Sequence, residues 1–463
     1  MALETYKIVT FGCQMNAYDS EVMAGILEAR GWKPVEAEED ADVLLFNTCI
    51  VRASAEQRAL GRIDALKALK KAKPERILGV CGCLAQREAA GLLQRAPHLD
   101  LVLGTRAIPN LSALLDHLLA GGEPVACTDE YDEPYQAAGA PVRRSELRAL
   151  VTIMQGCNNW CSYCIVPAVR GREKSRPLGT IVDEITELVR CGCREITLVG
   201  QNVNAWRGDP NNQDGWKTHA PRSEGSDGHA LDFADLLGRV QEIEGLLRIR
   251  YITSHPRDAG LRQIEAVARN GKVCEHFHLP AQSGSNRVLE RMNRGYTREK
   301  YLDLIRAIRA EIPDATLTTD LIVGFPGESD DDYRQTLDLV REVGFDSAFT
   351  FFYNPREGTR AATWDDDVAV EVKKERLAEL ITLQERISVE KNQALEGQTL
   401  EVLVEGPARR NSDHPIAGQA RLMGRTRGDK CVVFDGDLRD QGHLVQVRIT
   451  EGASHTLLGE KCE

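Results

Sequence analysis

The chain has 463 residues, 42% of them hydrophobic and 28% charged, the balance of a soluble globular protein with real cores and, at this length, of roughly two to four domains. Its formal net charge of −12 works against whole-surface binding of nucleic acid, so any phosphate contact has to come from local basic patches. No basic segment followed by an apolar one opens the chain, and its longest apolar runs are of strand length, so a cytoplasmic protein without membrane contact is expected.

Up to about residue 121, apolar runs at 6–11, 43–47, 77–80 and 101–103 alternate with amphipathic stretches at 19–30 and 53–73. That alternation predicts parallel strand–helix units in a small open α/β sheet. A segment rich in Asp, Glu, Pro, Gly and Ala at 129–144 reads as a linker. A longer alternation occupies about 145–390, with strands expected at 148–154, 195–199, 248–253, 276–279, 317–323 and 347–353. Helices are expected at 180–191, 232–244, 287–292, 298–311 and 330–343. Six strand–helix units predict a barrel of the TIM kind, complete or partial. Residues 207–229, rich in Gly, Asn, Asp and Pro, break the pattern and are expected to be an exposed insertion. A helix at 370–395 then leads to β-type runs at 399–404, 430–434 and 444–449, expected to form a small antiparallel barrel.

Thirteen cysteines, an odd number, argue against a disulfide framework and for thiolate chemistry or metal ligation. Cys127, Cys191, Cys193, Cys274, Cys431 and Cys462 carry no ligand spacing and read as small buried hydrophobes. The strongest signal is Cys157-Asn158-Asn159-Trp160-Cys161-Ser162-Tyr163-Cys164, directly after an apolar strand. Three thiolates on one loop hold three irons of a cubane cluster and leave the fourth open to a small molecule. A zinc or ferredoxin site is the alternative, but either wants a fourth local Cys or His that the flanks do not offer.

In an α/β barrel the chemistry sits at the carboxyl ends of the strands. The later strands end in Gly200-Gln201-Asn202, Ser254-His255-Pro256, Gln282-Ser283-Gly284-Ser285, Gly324-Phe325-Pro326-Gly327-Glu328 and Asn354-Pro355. Each alone is a turn; in register on one rim they would floor a pocket. His255 by itself reads as structural. A second set, Cys13, Cys49 and Cys83, follows predicted strands of the first region. Parallel strands share one carboxyl edge, so these thiolates would converge there, with Cys81 competing with Cys83 for the third place. Arg421, Arg425, Arg427 and Lys430 cluster near the C-terminus, as either a solvated face or a nucleic-acid contact. Arg170, Arg172, Lys174 and Arg176 form a second basic group beside the Cys loop, some of them open to carboxylate pairing.

The C-x3-C-x2-C loop after the first strand of such a barrel resembles the signature of the radical-SAM superfamily. The whole pattern is similar to the methylthiotransferases, which join an N-terminal α/β domain with three cysteines, a radical-SAM barrel and a C-terminal TRAM β-domain. The resemblance covers nearly the whole chain and implies domains at 5–121 and 143–378, with a connecting helix and TRAM domain at 379–460. Phe11-Gly12-Cys13-Gln14-Met15-Asn16 matches the MiaB branch, which acts on tRNA carrying isopentenylated adenosine. The ribosomal-protein branch typically has Pro-Lys-Asn after that cysteine, and the threonylcarbamoyl-adenosine branch Lys-Val-Asn. Gly171-Arg172-Glu173, Gln201-Asn202-Val203-Asn204 and Gln282-Ser283-Gly284-Ser285 also fit. Ala168 stands where an aromatic is common, and the insertion after Trp206 is longer than usual.

The resemblance implies that Cys157, Cys161 and Cys164 bind a [4Fe-4S] cluster whose open iron chelates S-adenosylmethionine (SAM). It implies a second [4Fe-4S] cluster on Cys13, Cys49 and Cys83, and a SAM pocket lined by Gly200, Gln201, Gln282 and Gly324. The implied reaction puts a methylthio group on C2 of N6-isopentenyladenosine at position 37 of tRNA, one SAM giving the methyl group and one the 5′-deoxyadenosyl radical. That C–H bond is neither acidic nor attached to a leaving group, so acid–base catalysis offers little and a cofactor is needed. Cluster potentials reach down to about −700 mV, compatible with reductive cleavage of SAM. The TRAM resemblance inclines Arg421, Arg425, Arg427 and Lys430 to tRNA contact. A monomer served by a reductant protein of flavodoxin or ferredoxin type is expected; the sulfur donor is unknown. The alternatives are a sister enzyme acting on threonylcarbamoyl-adenosine or on a ribosomal-protein aspartate, set apart by Gln14-Met15, and a non-enzymatic iron–sulfur or zinc RNA-binding module, which leaves the rim unexplained.

Overall fold

The strand Val43–Thr48 is buried at every position, as an apolar run must be when helices cover both faces of a parallel sheet. In the computed structural model, which describes residues 4–50, 53–129, 141–143, 145, 147–208, 217–218, 231–408 and 419–462, this strand lies inside a six-stranded sheet. It pairs in parallel with Thr5–Thr10 and with Ile77–Gly82. Leu101–Gly104 and Val125–Cys127 extend the sheet on one side and Lys33–Pro34 on the other. The two edge strands, Lys33–Pro34 and Val125–Cys127, escape sequence reading because two or three residues carry no periodicity. The helix Gln14–Ala29 starts directly after Cys13, five residues earlier than its apolar pattern implies. Most of the linker expected at 129–144 and of the insertion expected at 207–229 lies outside the described residues.

The central region is an open barrel of six parallel strands. Arg148–Thr152, Glu195–Val199 and Arg248–Tyr251 pair in sequence order, as do His276–His278, Thr316–Val323 and Ser347–Phe352. A single parallel bridge, Ile249 to Val273, joins the two halves. The strand Thr316–Val323 alternates buried and half-buried positions, the pattern of a strand with one face on the helical layer and one on the barrel interior. Its outer layer includes Asp330–Val343, started by the reciprocal Ser329–Asp332 capping box and stopped by Gly344 in the left-handed region at φ 58°. A helix at Leu261–Arg269 was not anticipated from the sequence. Ala168 is exposed, so its departure from the aromatic has no packing consequence.

Five strands close the C-terminal barrel. Four of its pairings are antiparallel, but Cys431–Asp437 and Thr456–Lys461 run parallel, which corrects the wholly antiparallel expectation. Leu444–Gly452 alternates exposed and buried residues along most of its length, as one layer of a barrel with a filled interior must. The helix Val370–Gln393 holds both neighbours: Gln384 Nε2 donates to Phe345 O at 2.9 Å, and Asn392 Nδ2 to Ala453 O at 2.6 Å.

This small barrel is seated under the amino ends of the central strands, opposite the Cys loop. The fully buried Arg248 donates to Arg425 O at 2.5 Å and to Glu401 O at 3.1 Å. Arg250 donates to Arg427 O at 2.8 Å and Thr426 O at 2.7 Å. Arg427 reaches back to both oxygens of Glu275 at 2.7 Å, and Lys430 pairs with Asp346 at 3.0 Å. Arg425 pairs with Glu405 and Asp429, both at 3.4 Å. Of the cluster read as either a solvated face or a nucleic-acid contact, Arg425, Arg427 and Lys430 are paired with carboxylates, and the last two staple the domains together. Arg421 is half-buried and forms no ion pair among the described residues.

Arg248→Ala leaves two backbone carbonyls buried without their donor and is expected to cost about 3 kcal/mol in urea unfolding. Arg448→Ala, which removes an exposed pair with Glu460, is expected to change stability little. Equal losses in the two variants would mean that the junction is not held by the buried guanidinium.

Candidate functional site

The first barrel strand hands the chain to Gly156, which lies at φ 75°; a Cβ there would meet Arg172 O at 2.1 Å, so only glycine fits. Gly156 N donates to Gln201 Oε1 at 2.6 Å, tying the loop to the end of the second strand. The cysteine loop is then fixed from outside. Ser162 N donates to Met292 O at 3.0 Å and its hydroxyl to Arg291 O at 2.8 Å. Asn293 Nδ2 donates to Trp160 O at 3.0 Å, holding Trp160 at φ 46°. Buried Arg294 donates to Cys161 Sγ at 3.3 Å, to Tyr163 Oη at 3.4 Å and to Pro280 O at 2.8 Å. Burial, followed by the neighbouring thiols, pushes the Cys164 thiol up to about 12; burial pushes Cys157 up to about 11. Electrostatically linked on one loop, the three cysteines are a site at which a bound metal would favour the thiolates.

Around this loop the carboxyl ends of the strands carry buried polar atoms without partners: Ser254 Oγ, His255 Nε2, Gln282 Oε1, Glu328 Oε1 and Tyr353 Oη. Each such atom costs about 1–3 kcal/mol, so five on one rim fit a polar ligand that would satisfy them. Gln282 is held at φ 68°, with its backbone N–H donating to Asp320 O at 2.9 Å. Glu328 Oε2 accepts from Gly324 N at 2.6 Å and Arg376 Nη1 at 2.8 Å. Burial nevertheless pushes its carboxyl up to about 7 against those stabilising partners. Gly200 and Gly324 have packing reasons of their own: a Cβ would meet Met154 Cγ at 2.5 Å or Lys373 Cγ at 2.3 Å. His255 Nδ1 accepts from Arg257 N at 3.2 Å, which leaves Nε2 on the rim, and burial, then Arg294 and Arg257, push its pKa far down.

The second trio forms where the N-terminal strands end. Gly12, at φ 117°, lies so close to Cys49 that a Cβ would meet Cys49 Cβ at 2.5 Å. Asn16 ties the loops: its Nδ2 donates to Thr48 O at 2.9 Å and Asn47 Oδ1 at 3.2 Å, and its Oδ1 accepts from Cys13 Sγ at 3.6 Å. Asn47 Nδ2 returns a bond to Asn16 O at 2.7 Å, and Thr48 Oγ1 donates to Cys81 O at 2.6 Å. Burial pushes Cys83 up to about 12, and it feels Cys49 and Cys13 as neighbours. Cys81 instead points into the core with Tyr18, Val43 and Leu103. Between the two, the geometry brings Cys83 into the trio. No three His, Cys, Asp or Glu side chains among the described residues converge on one metal ion; a cubane needs wider spacing, because each of its thiolates takes a different iron.

The basic group beside the Cys loop is divided. Arg170 pairs with Asp19 at 2.7 Å inside the protein, and Arg176 is buried against Glu184, while Arg172 is exposed. Of the remaining cysteines, Cys193 and Cys274 are buried as expected; Cys127, Cys431 and Cys462 are half-buried and Cys191 is exposed, which corrects their reading as buried hydrophobes. Asn47, Arg294 and Arg376 were missed in the sequence, since no local spacing marks a residue that acts through a distant loop.

The comparisons fit this layout. Residues 5–104 match the family described as Uncharacterized protein family UPF0004, 151–340 the Radical SAM superfamily and 393–462 the TRAM domain. A protein of Desulforamulus reducens named tRNA-2-methylthio-N(6)-dimethylallyladenosine synthase is 50% identical, over 98% of this chain and 95% of the relative. Its namesake in Moorella thermoacetica is 47% identical over 99% and 98%. The solved radical SAM methyltransferase TsrM from Kitasatospora setae shares the fold at a TM-score of 0.56 and 15% identity, covering 78% of this chain and 74% of that one.

Gly12→Ala is expected to cost about 3 kcal/mol in urea unfolding, from strained backbone plus the clash with Cys49. Gly31→Ala, also at positive φ but with nothing within 4 Å, is expected to cost about 1 kcal/mol; equal costs would remove the case for a forced approach at Cys49. Folded Glu328 keeps its proton up to about pH 7, whereas its ordinary value is 4.5. The folded state therefore binds more protons between those values, and stability falls as pH rises through that window. Glu328→Gln is expected to flatten that decline by about one proton's slope, read from urea unfolding at a series of pH values.

Proposed function

The chain belongs to the MiaB-type radical-SAM methylthiotransferases, and from that membership we propose that it places a methylthio group on C2 of N6-dimethylallyladenosine at position 37 of tRNA. It is a tRNA-2-methylthio-N(6)-dimethylallyladenosine synthase, an enzyme with SAM and a [4Fe-4S] cluster as cofactors. One SAM serves as methyl donor and a second as radical source. The observation that carries the reading is the pair of thiol trios, each built at the carboxyl ends of parallel strands and each with three members.

Cys157, Cys161 and Cys164 would each hold one iron and leave one iron site unclaimed by the chain. Cys13, Cys49 and Cys83 would hold a second [4Fe-4S] cluster in the same way. When bound, SAM and its cluster supply the homolysis that a non-acidic C–H bond requires and side chains do not provide. The chain's own part is positioning. Arg294 donates to Cys161 Sγ, a hydrogen bond to sulfur of the kind that tunes cluster potential. The orphan atoms of Ser254, Gln282 and Glu328 suit the amino, carboxylate and ribose groups of SAM, with Gly200, Gln201 and Gly324 shaping the rim behind them. The burial of these rim side chains would keep water from a reactive intermediate.

Arg421, which forms no ion pair among the described residues, is the member of the C-terminal basic cluster assigned to phosphate contact. Electrons come from a reductant protein of flavodoxin or ferredoxin type, and the chain works as a monomer. Among the described residues no helix is long and apolar enough to cross a membrane.

Anaerobic reconstitution with SAM, reductant and isopentenylated tRNA, followed by nucleoside mass spectrometry, is expected to yield the 2-methylthio product; methylthiolation confined to threonylcarbamoyl-adenosine would reassign the substrate. Cys13→Ala is expected to keep SAM cleavage and lose methylthiolation, whereas replacing Cys157, Cys161 and Cys164 together is expected to abolish deoxyadenosine formation and leave one cluster's iron. Affinity for tRNA is expected to fall steeply with salt, and Arg421→Ala to reduce the salt slope by about one; an unchanged slope would remove Arg421 from the interface.

A further inference from the structure

Arg170 belongs to the barrel by sequence but to the other domain by its contacts. It closes the short helix Val166–Arg170 that follows Cys164. Its guanidinium is buried, 7% exposed, and crosses the domain boundary to donate to Asp19 Oδ2 at 2.7 Å and Asn16 Oδ1 at 3.2 Å. Asn16 Oδ1 is the same atom that accepts from Cys13 Sγ. All these bonds leave from Nη2. Nη1 is buried with no hydrogen-bond partner among the described residues, at a cost of about 1–3 kcal/mol that a further acceptor would relieve. Cys83 and Cys13 lie within electrostatic reach of the guanidinium, after Asp19. A second barrel cation stands on the other flank: Arg356 pairs with Glu56 at 2.9 Å and feels Cys49.

We propose that Arg170 is a positioning residue for the second cluster, its unpartnered Nη1 donating a hydrogen bond to sulfur held at the Cys13–Cys49–Cys83 trio. The barrel that cleaves SAM thereby also sets the charge balance at the site that gives up sulfur. Three thiolates and an iron–sulfur core make an anionic group in a dry environment, where a guanidinium donor is strongly stabilising. Hydrogen bonds to sulfur and local net charge are the protein's means of setting a cluster's potential. Asp19 balances the charge of Arg170, but Nη1 would stay without a hydrogen-bond partner whenever the trio was empty, so docking of the two domains and filling of the site favour each other.

The inference rests on the two-cluster reading, and the test separates the two. The parent is the full chain carrying Cys157→Ala, Cys161→Ala and Cys164→Ala, reconstituted anaerobically with iron and sulfide, so that any remaining cluster sits on the N-terminal trio. Iron content and the midpoint potential, followed by electron paramagnetic resonance, are compared in the parent, Arg170→Gln and Arg170→Lys. Arg170→Gln is expected to shift the midpoint to more negative values or to shed iron, and Arg170→Lys, which keeps a charged donor, to recover most of either effect. Equal effects in the two variants, or none in either, overturn the role of Arg170. A parent without iron sinks the two-cluster reading itself, and the role of Arg170 with it.

Discussion

Parallel strands end on a common edge, and that constraint makes both thiol trios possible. In the N-terminal sheet Cys13, Cys49 and Cys83 are separated by tens of residues, yet each follows a strand whose carboxyl end meets the same edge. Register alone does not bring sulfurs together. The last approach depends on Gly12, which lets the Cys13 loop lie against Cys49, and on Asn16 and Asn47, which bond side chain to backbone across the loops. In the barrel the same geometry is used differently. One strand end carries all three thiols, and the other five supply the surrounding floor.

Buried guanidinium groups connect the three domains. Arg170 reaches into the N-terminal domain, and Arg248 and Arg250 reach into the C-terminal barrel, where they bond backbone carbonyls. A carbonyl is a partner that substitution elsewhere cannot remove, so these junctions depend on few side chains. Because the small barrel sits beneath the amino ends of the central strands, its junction and the rim of unpartnered polar atoms lie at opposite ends of the central barrel.

The acidic balance of the chain is consistent with this use of its cations. Most of the arginines in the two basic runs neutralise partners inside the protein: Arg170 with Asp19, Arg176 with Glu184, Arg427 with Glu275. A run of basic residues in sequence counts charges without saying where each side chain points. In strands, neighbours face opposite ways, and at a domain junction one of those faces is protein.

The sequence by itself determined most of the longer elements and, through the cysteine spacing and the resemblance it carries, the class of chemistry. Six barrel strands were legible because period-two burial and turn residues are local, and Arg298–Glu311 and Asp330–Val343 have the bounds their patterns imply. The cysteine loop was legible because its three thiols share one short segment. The resemblance chose Cys83 over Cys81, two residues apart, and the tertiary structure supplied the physical reason: Cys83 has Cys49 and Cys13 as neighbours, whereas Cys81 packs in the core beside Tyr18 and Val43. The tertiary structure alone tied Arg427 and Lys430 to carboxylates of the central barrel, placed Arg170 in the neighbouring domain and left Gln282 and Glu328 with unpaired atoms on one rim. Each of these is a meeting of residues far apart in the chain, and local patterns carry no record of who meets across such distances.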